Sequence, residues 1–113
     1  MKRHAWVIRL RQEKVDEYRR LHQAVWPQVL ATISACHIRN YSIFLRTLDD
    51  GQAYLFACFE HAGGDLRADL ARMAADPATQ AWWKLTDPCQ EPLRTRADGE
   101  EKWAAMEEVF HTP

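Results

Sequence analysis

No two cysteines stand at the spacing of a redox or zinc-binding motif, since Cys36, Cys58 and Cys89 are an odd number and form no Cys-x-x-Cys pair. That excludes a disulfide framework and a zinc ribbon, and reduced thiols are the simpler account. Charge of neither sign is in excess: 15 basic against 16 acidic side chains leave a formal net charge of −1. Nothing concentrates a polyanion, so neither nucleic acid nor an acidic membrane surface is an expected partner. Long apolar runs are missing too. Behind Met1-Lys2-Arg3-His4 the segment "AWVI" meets Arg9 at once, too short for a signal-peptide core or a bilayer span. A soluble, cytoplasmic protein is expected. Patterns of the GxSxG, P-loop and GxGxxG kinds do not occur, which removes the usual handles for acyl transfer, phosphate and dinucleotides. The five histidines, His4, His22, His37, His61 and His111, show no HxxxH or HExxH spacing, and Cys36-His37 stands isolated. No metal and no cofactor are expected.

What is present is grease in quantity. Hydrophobic residues make up 47% of the 113 and aromatics 11%, ample for one packed domain over residues 1–113. "HAWVIRL" alternates Trp6, Ile8 and Leu10 against Ala5, Val7 and Arg9, which suits a strand apolar on both faces. From Glu13, Val15, Tyr18, Leu21, His22, Val25 and Val29 recur at helical steps. Pro27 predicts a bend near Trp26 and a second helical piece beginning at the proline. "RNYSIFLRTL" and "AYLFACFEH" flank the turn-forming "DDGQ" and read as a hairpin. Leu66, Leu70 and Met73 share one helical face, and Asp76-Pro77 reads as the cap and first-turn proline of a short helix through "ATQAWWKL". The segment from Asp87 to Gly99 reads as loop, and "WAAMEEVFH", with Met106, Val109 and Phe110, as a final strand.

The order β, α, β, β, α, β is that of a ferredoxin-like α+β sandwich, helices covering one face of an antiparallel sheet. Its other face also needs a cover. Tyr41, Ile43 and Leu45 oppose Phe44, and Tyr54, Phe56 and Cys58 oppose Leu55, Ala57 and Phe59, so both parities are apolar. A second copy in a two-fold homodimer is the economical solution.

One turn of helix separates Tyr18 from His22, so the two can converge on one ligand. The plainer alternative is a core histidine bonded to a backbone carbonyl beside a core tyrosine, and spacing does not decide between them. Tyr41 lies on a strand the first helix should frame. Trp82 and Trp83 point about 100° apart on a helix, so one can be core while the other lines a cleft. Two tyrosines, a histidine and an indole without dense charge suit a small neutral polyol such as a sugar. The charges of "RLRQEK" and "YRR" read as a wet helix face, and Glu107 and Glu108 as solvated.

With these residues in view, "EYRRLHQAVWP", "NYSIFL", "QAWWKLTD" and "EEVFH" resemble the L-rhamnose mutarotase family in order and spacing across nearly the whole chain. The resemblance implies a ferredoxin-like dimer forming an α+β barrel, and a monosaccharide substrate. It implies His22 as proton donor, Tyr18 as a sugar-binding residue beside it, and Tyr41, Trp82 and Trp83 as further binding positions. Gln23-Ala24 depart from the Asn or Asp that often follows the histidine, and Gly63-Gly64 enlarge a loop. "DPCQEPLRTRADGEEKW" is more similar to relatives associated with L-fucose, so the 6-deoxy sugar is open between L-rhamnose and L-fucose.

Mutarotation opens a hemiacetal ring and closes it on the other face, which requires an acid at the ring oxygen and a base at the anomeric hydroxyl. An imidazole, ordinarily titrating near pH 6.5, serves either role. Positioned proton transfer worth roughly 10²- to 10⁴-fold suffices for a reaction that already runs slowly in water. On this reading His22 is general acid/base, Tyr18 and Tyr41 orient hydroxyls, and Trp82 stacks on the sugar. Two other readings share the fold: a haem-handling or cofactor-free monooxygenase, and a non-catalytic ligand-binding module.

Overall fold

A computed structural model describes residues 1–96 and 102–113. Strand β1 (Lys2–Leu10) leads through one 3-10 turn (Gln12–Lys14) into helix α1 (Val15–His22). Trp26 is extended, with φ −62° and ψ 136°, and Pro27 opens helix α2 (Pro27–Ala35) at the position where its missing N–H costs nothing. Strands β2 (Ile38–Thr47) and β3 (Ala53–His61) form the hairpin, with Gly51 at φ 78° in its turn. Helix α3 (Leu66–Ala75) is capped by Asp65, which accepts from the Ala68 N–H at 3.1 Å. Asp76 caps α4 (Pro77–Thr86), accepting from both the backbone N–H and the hydroxyl of Thr79 at 2.9 and 2.8 Å.

Two expectations for the C-terminal third are corrected. Asp87 onward is not all loop: a 3-10 turn (Asp87–Cys89) delivers strand β4 (Gln90–Glu91), which pairs Leu10 with Gln90 and Arg9 with Glu91. The remainder of that expected loop includes residues 97–99, which lie outside the described residues. The final strand, β5 (Ala104–Met106), is shorter than expected, pairing Val7 with Ala104 and Ala5 with Met106. Val109 and Phe110 lie beyond it, 89% and 80% exposed. Both short strands use the one free edge of β1, so the sheet runs β2-β3-β1-β4 with β5 also on β1. This is the antiparallel ferredoxin-like order, each expected helix being a pair broken at a proline.

Register sorts the faces. His4, Trp6, Ile8 and Leu10 pair with Phe59, Ala57, Leu55 and Ala53, and this face turns toward the helices. Ile8, Leu10 and Leu55 are at most 1% exposed and form one core cluster with Tyr18, Ala53 and Cys89. Burial of each such large side chain contributes roughly 1.5–3 kcal/mol. Cys36, Ile38, Phe59 and Met73 form a second cluster, joined by Trp6, Leu66, Leu70 and Trp83. The three cysteines are free thiols, Cys36 and Cys89 buried and Cys58 exposed. On the opposite face Phe44 is 60% exposed, beside the β3 residues Phe56 and Cys58. No helix of the described residues is long and apolar enough to cross a membrane.

Candidate active site

Helix α1 places Tyr18 and His22 on its inward side. Tyr18 is sunk to 5% exposure against Ile8, Leu10 and Leu55, while His22, at the end of the helix, is half-buried. His22 Nδ1 lies 2.8 Å from the Tyr18 carbonyl oxygen. A carbonyl only accepts, so Nδ1 carries the hydrogen and donates, and Nε2 is the nitrogen left for chemistry. The carbonyl bond expected of a plain core histidine is therefore present, and it orients the ring instead of consuming it.

An aromatic wall continues from there. The Tyr18 and His22 rings lie 4.2 Å apart, tilted by 30°. Trp82 meets His22 edge-on at 5.4 Å, and Trp26 meets Trp82 edge-on at 5.3 Å. Trp82 is only 5% exposed. Its ring is occupied by His22 and Trp26, which corrects its expected role as an open stacking platform. Trp83, one residue on, packs against the second core cluster and not on this wall.

Tyr41 comes from the sheet. Arg39 pairs with Glu60 and Ser42 with Cys58, so β2 carries one extra residue between them, and Asn40 there adopts φ 50°. The bulge lets both Ile38 and Tyr41 face the helices, and the Tyr41 ring meets Phe59 at 5.9 Å. The ring keeps 40% exposure while desolvation of its hydroxyl raises its pKa to about 12. Burial raises the Tyr18 phenol further still, and the nearby Tyr41 hydroxyl adds to the shift. Both phenols are protonated donors at neutral pH. Gln90, 7% exposed on β4, donates from Nε2 to the Tyr18 hydroxyl oxygen at 3.3 Å, leaving the Tyr18 proton to point elsewhere.

Tyr18, His22, Trp82 and Tyr41 are thus brought together around the helix-side face, and Trp83 reaches that neighbourhood only through Phe59. Sequence reasoning missed two members. Trp26, four residues after His22, carried a usable helical signal; Gln90 carried none, because nothing local marks a two-residue strand. A groove of about 490 Å³ opens beside the wall, lined by Val15, Asp16, Arg19, Leu45 and Ala53 among others. Its charged rim, Asp16 and Arg19, is already paired at 3.4 Å. The chemistry resides in the ring constellation farther along α1.

Comparison with known proteins follows the same line. A family model described as L-rhamnose mutarotase matches residues 3–112. An L-rhamnose mutarotase of Burkholderia orbicola is 35% identical over 107 residues, 95% of this chain and 94% of the relative. One of Oceanobacillus iheyensis is 31% identical over 111 residues, 98% of both chains. The crystal structure of an L-rhamnose mutarotase from Formosa agariphila shares the fold with a TM-score of 0.74 at 21% identity, covering 100% of both chains. Tetracenomycin F2 cyclase from Streptomyces glaucescens, a type-II polyketide cyclase, shares it with a TM-score of 0.67 at 13% identity, covering 100% of this chain and 98% of its own. Matched end to end by the family model and by relatives above 30% identity, the chain belongs to the L-rhamnose mutarotase family.

Proposed function

We propose that this protein interconverts the α and β anomers of a 6-deoxy-L-hexose, with L-rhamnose as the substrate, and works as a cytoplasmic homodimer. The observation that carries the mechanism is the His22 imidazole, held by its Nδ1–H on the Tyr18 carbonyl with Nε2 left over. In this mechanism Nε2 takes the proton of the anomeric hydroxyl in one direction and returns it in the other, while a phenol donates to the ring oxygen as the C1–O bond opens. Tyr18 and Tyr41 suit that task because burial keeps both protonated. Trp82 holds the imidazole edge-on, and half-buried Trp26 extends the apolar wall toward the sugar's C–H face.

The dimer covers the second sheet face, where exposed Phe44 lies beside Phe56 and Cys58; an apolar sheet face of this kind is a usual site of two-fold association. The family membership supports L-rhamnose over L-fucose. The test is exchange NMR between anomers of each sugar with the wild-type protein. We expect faster exchange than in buffer, greater for L-rhamnose. Preference for L-fucose would reassign the sugar, and no acceleration of either would overturn the activity.

A further inference from the structure

Away from the aromatic wall, three side chains distant in sequence meet where α2, β3 and α3 come together. His37 follows α2, His61 closes β3, and Asp69 lies in the first turn of α3. His37 Nδ1 and His61 Nε2 approach the same oxygen, Asp69 Oδ2, at 3.0 and 2.7 Å. One donor atom from each of the three lies within 4.8 Å of both others. His61 and Asp69 are buried, at 4% and 6% exposure, and His37 is open to solvent.

Space in front of these atoms is kept by a missing side chain. A Cβ on Gly63 would stand 2.7 Å from Asp69 Oδ2, 3.0 Å from His37 Nδ1 and 3.0 Å from His61 Cε1. Gly51 is the glycine with positive φ, so Gly63 is not there for a left-handed backbone. What its lack of a side chain provides is room beside the donors. A cavity of about 360 Å³ adjoins that point, lined by Lys2, His4, His61, Gly63 and Leu66 among others. His4 Nε2, also on this cavity's wall, is buried without a hydrogen-bond partner among the described residues.

We propose that His37, His61 and Asp69 form a binding site for a divalent transition-metal ion, Zn²⁺ foremost, with its fourth position open to the cavity. Two imidazole nitrogens and one carboxylate oxygen are ligands for Zn²⁺ or Co²⁺, not for the hard cations Ca²⁺ or Mg²⁺. Bonds of about 2.0–2.2 Å in a tetrahedron set donors roughly 3.3 Å apart, so the Oδ2 separations open by a few tenths of an ångström. Solvent-exposed His37 can move to allow it. In the structure both imidazole N–H groups donate to Oδ2; with the ion bound, each ring carries its proton on the other nitrogen. Arg72 stands on the far oxygen, its Nη1 3.0 Å from Asp69 Oδ1. Its positive charge opposes a cation, but with 57% of its side chain exposed it is screened, and it orients the carboxylate so that Oδ2 faces the histidines. Lys2 on the cavity wall is exposed as well. The ion joins the ends of three elements around the second core cluster, so its effect is on stability and not on the sugar site.

The experiment is calorimetric titration of chelator-treated full-length protein with ZnCl₂, paired with Co²⁺ titration read by ligand-field absorption. We expect one ion per chain, intense tetrahedral Co²⁺ bands and a higher melting temperature with Zn²⁺. His37→Ala, an exposed change that spares the core, abolishes binding while anomer exchange is unchanged. Gly63→Ala leaves every ligand in place and weakens binding by filling the space. Absence of binding by the wild type overturns the site, as does binding that survives both His37→Ala and His61→Ala. Binding lost in Cys58→Ser but kept in His37→Ala assigns the ion to the exposed thiol and overturns it equally.

Discussion

Replacing His22 in three ways separates the imidazole's chemistry from its packing. Truncation in His22→Ala removes one hydrogen bond and two ring contacts, to Tyr18 at 4.2 Å and to Trp82 at 5.4 Å. At about 0.5–1.5 kcal/mol for each of the three, the loss is roughly 1.5–4.5 kcal/mol. Against a total stability of about 5–15 kcal/mol the chain stays folded, though less robustly. His22→Asn places an amide N–H near the old Nδ1 position and keeps the bond to the Tyr18 carbonyl, while nothing replaces Nε2. His22→Phe keeps the ring contacts and loses both nitrogens. If Nε2 carries the proton, all three variants lose roughly 10²- to 10⁴-fold of the enhancement, or about 3–5.5 kcal/mol of barrier lowering. Their stabilities differ, with His22→Ala the weakest in urea. Exchange NMR on L-rhamnose, at a temperature where every variant is folded by circular dichroism, reads the first quantity, and urea midpoints read the second. Retention by His22→Asn or His22→Phe of exchange within about threefold of wild type, less than ~1 kcal/mol, would refute the proton-transfer role. If activity instead tracks stability across the three, the histidine is packing and nothing more.

Other expectations follow from neighbouring groups. Desolvation raises the Tyr41 pKa to about 12. Between roughly pH 10, where an unfolded tyrosine ionises, and about 12 the folded chain therefore binds more protons, and stability falls as pH rises. The urea midpoint of wild type should drop across that window more steeply than that of Tyr41→Phe; parallel profiles would count against the enclosed hydroxyl. Phe44→Glu puts a charge on the exposed outer face. A two-fold interface loses the ring twice, roughly 3–6 kcal/mol, weakening the dimer about 10²- to 10⁴-fold. Sedimentation should show the variant as monomer where wild type is dimer, and a wild-type monomer at micromolar concentration would reject the interface. Gln90→Glu replaces a donor to the Tyr18 hydroxyl with an acceptor that captures its proton. We expect a loss of about fivefold in kcat/KM, near 1 kcal/mol, with unchanged thermal stability. Full activity would mean that the direction of the Tyr18 proton is immaterial.

Signals acting over a few residues were legible, because the physics that produces them is local. Pro27 opens α2 where its missing N–H was expected to be harmless, Asp76 caps the helix that Pro77 begins, and "DDGQ" turns the hairpin. Tyr18 and His22 converge because one helical turn carries them together. The tryptophans mark the limit of such reasoning. Their 100° separation required them to part, yet which indole met His22 depended on where α4 lay against α1 and α2, and that is a tertiary fact. The expectation that Trp82 offers an open face failed for the same reason: Trp26, itself recognised only as a bend, covers it.

Gln90 was illegible because its two-residue strand exists only through the free edge of β1, and a two-residue stretch has no period to read. His37, His61 and Asp69 lie 32 and 8 residues apart from carboxylate to imidazole, beyond any single-helix ligand spacing. They meet because the β2–β3 hairpin pairs Ile38 with His61, which brings the residue preceding β2 beside the residue ending β3. Register created that cluster, and register depended on the extra residue at Asn40. Removing one residue at Asn40 would shift Ile38 relative to its present pairing, and with it the approach of His37 to Asp69, while the ladder from Ser42 to Thr47 could remain as it is. The bulge that turns both Tyr41 and Ile38 toward the helices is thus the common geometric origin of one wall of the sugar site and of the imidazole pair at the sheet's far end.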